Sequence, residues 1–222
     1  MKNKSAVWVV IQPLTLFLLT IILFYLLSFS LKIEDRGFWL SEGGVIETMS
    51  ALGYFLCALL ILYFGRWTYL KKYHYFFLIV NLFGMRELDF DKRFTTMGIL
   101  KSKFYVSDNV SITEKTIGLM VVALLLYIIF SIIKNHGKSF FSNLEFSSPV
   151  DIGIILVFIS LIAAKTMDGI GRKLSDFGLT INEQAIIHFE TLEEVLELGI
   201  PMMLVSTFYI YFSNVNVIKH ST

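Results

Sequence analysis

Apolar residues fill this chain in long blocks, and charged residues fall between the blocks or at their edges. A helix rises about 1.5 Å per residue, so about 20 mostly apolar residues cross a hydrocarbon layer about 30 Å thick. Six blocks reach or approach that length: residues 7–31, 44–65, 73–88, 116–133, 150–167 and 185–212. Pro13 stands near the start of the first. Pro201 interrupts the sixth, where the missing N–H predicts a kink that neighbouring helices can accommodate. The block at 73–88 is the shortest and ends in charges. The pattern predicts an all-α, polytopic integral membrane helical bundle with about six transmembrane helices, a single domain across residues 1–222.

Composition agrees. The chain is 55% hydrophobic and only 17% charged, against roughly a quarter charged in an average soluble domain. Its mean hydropathy is +0.69. Packed as a water-soluble globule, it would leave far too much apolar surface exposed. The net charge of +1 provides no basic field and excludes a nucleic-acid partner. The single cysteine, Cys57, lies inside an apolar block and reads as a small buried hydrophobe. The first block follows Lys2 and Lys4, like the basic start of a signal peptide. It is longer than the roughly 7–15 residues of a signal-peptide core and no small-x-small pattern closes it, so it is expected to stay as the first membrane helix.

Short loops set the expected orientation. Arg66, Lys71 and Lys72 lie in one, Lys134 and Lys138 in another, and both agree with the basic N-terminus in pointing to the cytoplasm. Both termini are therefore expected to be cytoplasmic, and the expected location is a bacterial cytoplasmic (inner) membrane. Two connections, residues 90–115 and 169–183, are long enough for re-entrant or interfacial structure. Residues 94–106 mix aromatics with lysines, which suits a membrane interface.

Ionisable residues beside apolar helices are costly and tend to face protein or water. Four blocks bring them to one predicted level, near the outer face. The second block contributes Glu47, in the first helical turn where a carboxylate suits the positive end of the helix dipole. The third contributes Arg86, Glu87 and Asp89, the fifth Lys165, Asp168 and Arg172, and the sixth His188, Glu190, Glu193, Glu194 and Glu197. Glu190, Glu194 and Glu197 follow i, i+4, i+7 and share a helix face. Lys165, Asp168 and Arg172 form a mixed-sign stripe, as do Arg86, Asp89 and Arg93. A stack of like carboxylates in low dielectric must be neutralised by bases, a cation or protons. Arg86, Lys165 and Arg172 are the natural counter-charges. The same charges could equally do no more than fix helix register.

No nucleophile elbow, phosphate-binding glycine loop or zinc-type histidine pattern occurs. No metal is assigned, although Glu47, Glu87, Asp168 and Glu194 are the oxygen donors that a hard cation would take. The residues do not identify a cofactor. Three functions suit them. The favoured one is a membrane-embedded enzyme acting on a lipid or lipid-linked substrate, with Glu47, Glu87, Asp168, His188 and Glu194 supplying acid–base chemistry. Arg86, Asp89, Arg172, Glu190 and Glu197 would then bind substrate, the arginines holding an anionic headgroup. The second is a small proton- or ion-coupled transporter with a small-ion substrate. The third is a non-catalytic assembly or immunity factor in which the charges are stitching. The sequence leaves the oligomeric state open.

Overall fold

The computed structural model describes residues 3–30, 36–39, 43–144 and 148–220, with side chains from 13–30, 38–39, 43–144 and 148–213. Lys2, used above for orientation, lies outside the described residues. The elements are α1 (Asn3–Ser30), α2 (Arg36–Trp39), α3 (Val45–Glu87), α4 (Phe90–Phe94), α5 (Ser102–Val106), α6 (Ile112–Ile132), α7 (Lys138–Ser142), α8 (Pro149–Met167), α9 (Ile170–Asp176) and α10 (Glu183–His220). Among the described residues there is no strand. Five helices are long and apolar enough to cross a membrane: α1, α3, α6 extended through α7, α8 and α10.

The second and third predicted helices both lie within α3, which is not one rod. Its backbone leaves helical geometry at Arg66 (φ 53°, ψ −170°) and Tyr73 (φ −129°, ψ 32°). A continuous helix would separate residues 54 and 83 by about 43 Å. Instead the rings of Tyr54 and Phe83 lie 5.5 Å apart. The element is therefore a hairpin with a first arm at residues 45–65 and a second at 74–87. The bend concentrates strain at Arg66, whose conformation is one that glycine adopts far more readily.

α10 is the hub, packing on α1, α3 and α8. Each contact passes through a glycine. A Cβ at Gly53 of the first arm would lie 2.9 Å from Pro201 Cβ. One at Gly153 of α8 would collide with the Thr207 side chain, and one at Gly199 of α10 would lie 2.6 Å from Thr20 Cγ2 of α1. Small residues let helix backbones approach closely where an apolar solvent provides no hydrophobic drive for association. The buried core follows from that approach and joins Tyr54, Cys57 and Ile61 of α3 with Leu156 and Val157 of α8 and Ile200 and Met203 of α10.

α6 stands to the side, packed on α3, and turns Leu119, Met120, Leu126 and Phe130 outward. Two hydrogen bonds fasten it. His74 Nε2 and the Tyr127 hydroxyl are 2.7 Å apart, as are the Tyr75 hydroxyl and His136 Nε2. A π-helical turn at Ile133–Gly137 carries His136. Both histidines thus sit in helical segments and join them. The 90–115 connection folds into α4 and α5, with the fully buried Phe104 wedged against Gly118.

Gly153→Leu is expected to lower stability by about 1–3 kcal/mol through overpacking against Thr207, while Gly137→Ala, which meets only Ile133 Cγ2 at 3.6 Å, leaves the unfolding midpoint in detergent nearly unchanged. Tyr75→Phe should cost about 1 kcal/mol, the typical net worth of one hydrogen bond, in the same measurement.

Candidate functional site

The hairpin places both ends of α3 at one end of the bundle. Gly84 allows its arms to meet: a Cβ there would lie 3.1 Å from the Phe55 ring and 3.3 Å from Tyr54 Cβ. One turn further, the second arm ends at Glu87, which is only 5% exposed. Asp89 then adopts a left-handed conformation (φ 50°) and turns the chain into α4, a conformation that aspartate tolerates better than most residues. In the first turn of α3, the Glu47 carboxylate accepts the Gly43 N–H.

α10 runs beside the first arm with Pro201 level with Gly53. That register brings Glu194 within electrostatic reach of Glu47 and Glu87. Glu193 lies beyond them, toward Asp168, Lys165 and Lys173. Arg86 Nη2 donates to Glu197 Oε1 at 2.9 Å, joining α3 to α10. Lys92 Nζ lies 2.8 Å from Asp89 Oδ1. Lys165 pairs with Asp168 at the end of α8. Lys173 folds back from α9 and donates to the Lys165 carbonyl at 3.0 Å, capping α8.

The structure therefore brings together Glu47, Arg86, Glu87, Asp89, Glu194 and Glu197, with Asp168 at the margin next to Glu193. Arg172 lies out along α9, exposed and folded against Gly169. His188 and Glu190 are half-buried on α10, and neither is among the charges that act most strongly on Glu87 or Glu194. Tyr54 belongs to the group although it reads as part of an apolar block. It is 2% exposed, packs in the core and lies within electrostatic reach of Glu87, Glu197 and Arg86. The available signal was spacing: Glu47 and Tyr54 stand seven residues apart, on one helix face.

Among the described residues, Glu87, Glu193 and Glu194 have neither a hydrogen bond nor an ion pair. No group of three or more His, Cys, Asp or Glu among the described residues has the geometry to hold a metal ion, so Glu47, Glu87, Asp168 and Glu194 are not gathered as a ligand set. The arrangement is suited to proton exchange, because neighbouring carboxylates in a water-poor site can give and take a proton at a bound molecule.

Asp168 lies just beyond the end of α8. The hydrogen bond from the Lys165 ammonium holds its carboxyl below the usual carboxylate range, with Lys173 and Arg172 adding to the effect and partial burial opposing it. A depressed folded-state pKa contributes stability that is present above the unfolded value and lost as pH falls through the folded one. Lys165→Met is expected to lower the unfolding midpoint at neutral pH, by less than about 1 kcal/mol because the pair is well solvated. That deficit should close as acidification protonates Asp168, which a series of melts across acid pH will check.

Compared with known proteins, the chain matches no family model, no curated protein and no solved structure.

Proposed function

We propose that the chain is an integral protein of a cytoplasmic (inner) membrane with both termini on the cytoplasmic side. Its acidic end is then an acid–base site at the outer face for a lipid or lipid-linked substrate. The observation that carries this reading is Glu87, a buried carboxylate with no partner among the described residues, placed within electrostatic reach of Glu47 and Glu197. A group kept only to fix helix register would be expected to have its partner in place. In this reading Glu87 and Glu194 exchange protons with the substrate, and the Arg86–Glu197 pair holds α10 in register against the hairpin.

The opposite end of the bundle favours an enzyme over a carrier. A carrier needs a polar route to the other side. There, Tyr69 and Phe212 lie ring to ring at 4.9 Å, Phe64 and Phe212 at 6.2 Å, and Phe76 and Phe208 at 6.0 Å. Between the two ends, Ile61, Ile200 and Met203 are fully or almost fully buried.

The test is mass spectrometry of a total lipid extract incubated with the purified protein in nanodiscs. At least one lipid species is expected to be consumed by the native chain. Glu87→Gln and Glu194→Gln should each slow its loss by about 100-fold, the lower range for removing general acid–base catalysis, while still inserting and melting like the native chain. An unchanged lipid profile, together with a pH-driven flux into liposomes that Glu197→Gln abolishes, would replace the enzyme with a carrier.

A further inference from the structure

The end of the bundle away from the acidic residues carries the opposite charge. The bend of α3 presents Arg66, Lys71 and Lys72, and the stretch from the π-helical turn into α7 presents Lys134 and Lys138, all exposed. The two stretches lie side by side. The Tyr75 hydroxyl is 2.7 Å from His136 Nε2 of the turn, and the His136 ring lies 5.5 Å from that of Tyr73 and 5.1 Å from that of Phe76. Lys72 Nζ stands 5.1 Å from the centre of the same Tyr73 ring. Bend and turn therefore form one basic surface.

The protein does not neutralise that surface itself. None of the five bases has an ion pair among the described residues. No acid occurs between residues 48 and 86 or between 115 and 144. Asp151, in the first turn of α8, is an acid on this side, and it already has an interaction of its own. Three of the ammoniums rest on aromatic rings instead: Lys71 over Trp67 at 5.8 Å, Lys72 over Tyr73 at 5.1 Å and Lys134 over Phe130 at 5.7 Å. A ring face attracts an ammonium and holds it in place without bringing a negative charge. Each lysine thus keeps its charge, and N–H donors, for an anion.

Arg66 is an independent indication. Its backbone (φ 53°, ψ −170°) lies in a region that is almost wholly glycine's. Gly65 stands next to it, yet the strained position falls on the guanidinium. Strain of this kind persists where the side chain it presents has a use. The surroundings favour a lipid over a free anion as the partner. Tyr63, Trp67, Phe130 and Phe141 are exposed on the same stretches as the bases. Aromatic side chains at helix ends mark the boundary between hydrocarbon and headgroups, where basic side chains reach lipid phosphates.

We propose that this basic, aromatic end binds anionic phospholipid, with the α3 bend and the π-helical turn holding the phosphate of a headgroup of net negative charge. This binding is independent of the acid–base chemistry proposed for the other end.

The experiment places the full chain in phosphatidylcholine nanodiscs and follows its unfolding midpoint as phosphatidylglycerol replaces part of that lipid. The midpoint is expected to rise saturably. Lys72→Gln and Lys134→Gln should each increase the phosphatidylglycerol fraction needed for half the effect by about fivefold, as expected of one base beside an anionic membrane surface. Both should melt like the native chain in pure phosphatidylcholine. Lys101→Gln removes an exposed base before α5, at the other end, and should leave the response unchanged. Arg66→Gly should raise the midpoint in pure phosphatidylcholine, because it releases strain, and at the same time weaken the response to phosphatidylglycerol. An arginine with only a structural role would give the first change without the second. Inorganic phosphate added to phosphatidylcholine nanodiscs should have no effect, and a rise as large as that from phosphatidylglycerol would replace the lipid with a free anion. The absence of a saturable response, a response that survives Lys72→Gln and Lys134→Gln together, or one weakened equally by Lys101→Gln would each overturn the proposal.

Discussion

The close seating of α10 against its three neighbours is the constraint on which the rest of the arrangement depends. Where the surrounding solvent is apolar, association gains little from hiding apolar surface and depends on close packing and polar contacts. Gly53, Gly153 and Gly199 provide the clearance. Every carboxylate that α10 contributes takes its height and azimuth from those three contacts. If α10 moved along its axis by one residue, about 1.5 Å, each side chain would also rotate by about 100°. Glu197 would then no longer point at Arg86, and Glu194 would leave the neighbourhood of Glu47 and Glu87.

The two ends of the bundle have different physical characters. At one, rings of Phe64, Tyr69, Phe208 and Phe212 pack on one another, and tyrosine–histidine bonds attach the outlying α6. At the other, helix ends supply charges in excess of their internal partners. An aromatic layer is satisfied by its own packing. An acidic layer with buried, unpartnered members stays costly unless something else completes it. This asymmetry is the physical basis for placing chemistry at one end only.

Much of the fold was legible because the apolar blocks are long and cleanly bounded. The bend between residues 65 and 73 was visible as a basic interruption, and the ends of α8 match the predicted block closely. The acidic end was legible in outline, because helical periodicity assigns charges to faces. Its pairing was not. Arg86 meets Glu197 across 111 residues, and nothing in the local pattern distinguishes that partner from Glu190 or Glu194. Tyr54 was hidden for a related reason: a phenol inside an apolar block reads as core, and it does pack in the core, but the opposite arm of the hairpin also brings it within electrostatic reach of Glu87. His74, at the start of the second arm of α3, and His136, in the π-helical turn after α6, lie beside basic interruptions, and nothing in the local pattern shows that each meets a tyrosine of the other helix.

The 111-residue reach of the Arg86–Glu197 pair also has a consequence for how the molecule is made. Synthesis runs from the N-terminus, so the hairpin carrying Arg86 and Glu87 is complete long before α10 leaves the ribosome. For that interval Arg86 lacks Glu197, and the groove that later receives α10 lies open. When α10 is made, it closes the core and gives Arg86 its partner Glu197. A chain cut short before residue 183 would therefore lose more than one rod. It would keep an unmatched guanidinium and an open cleft between α1, α3 and α8, features by which a cell's quality-control machinery could recognise it as unfinished.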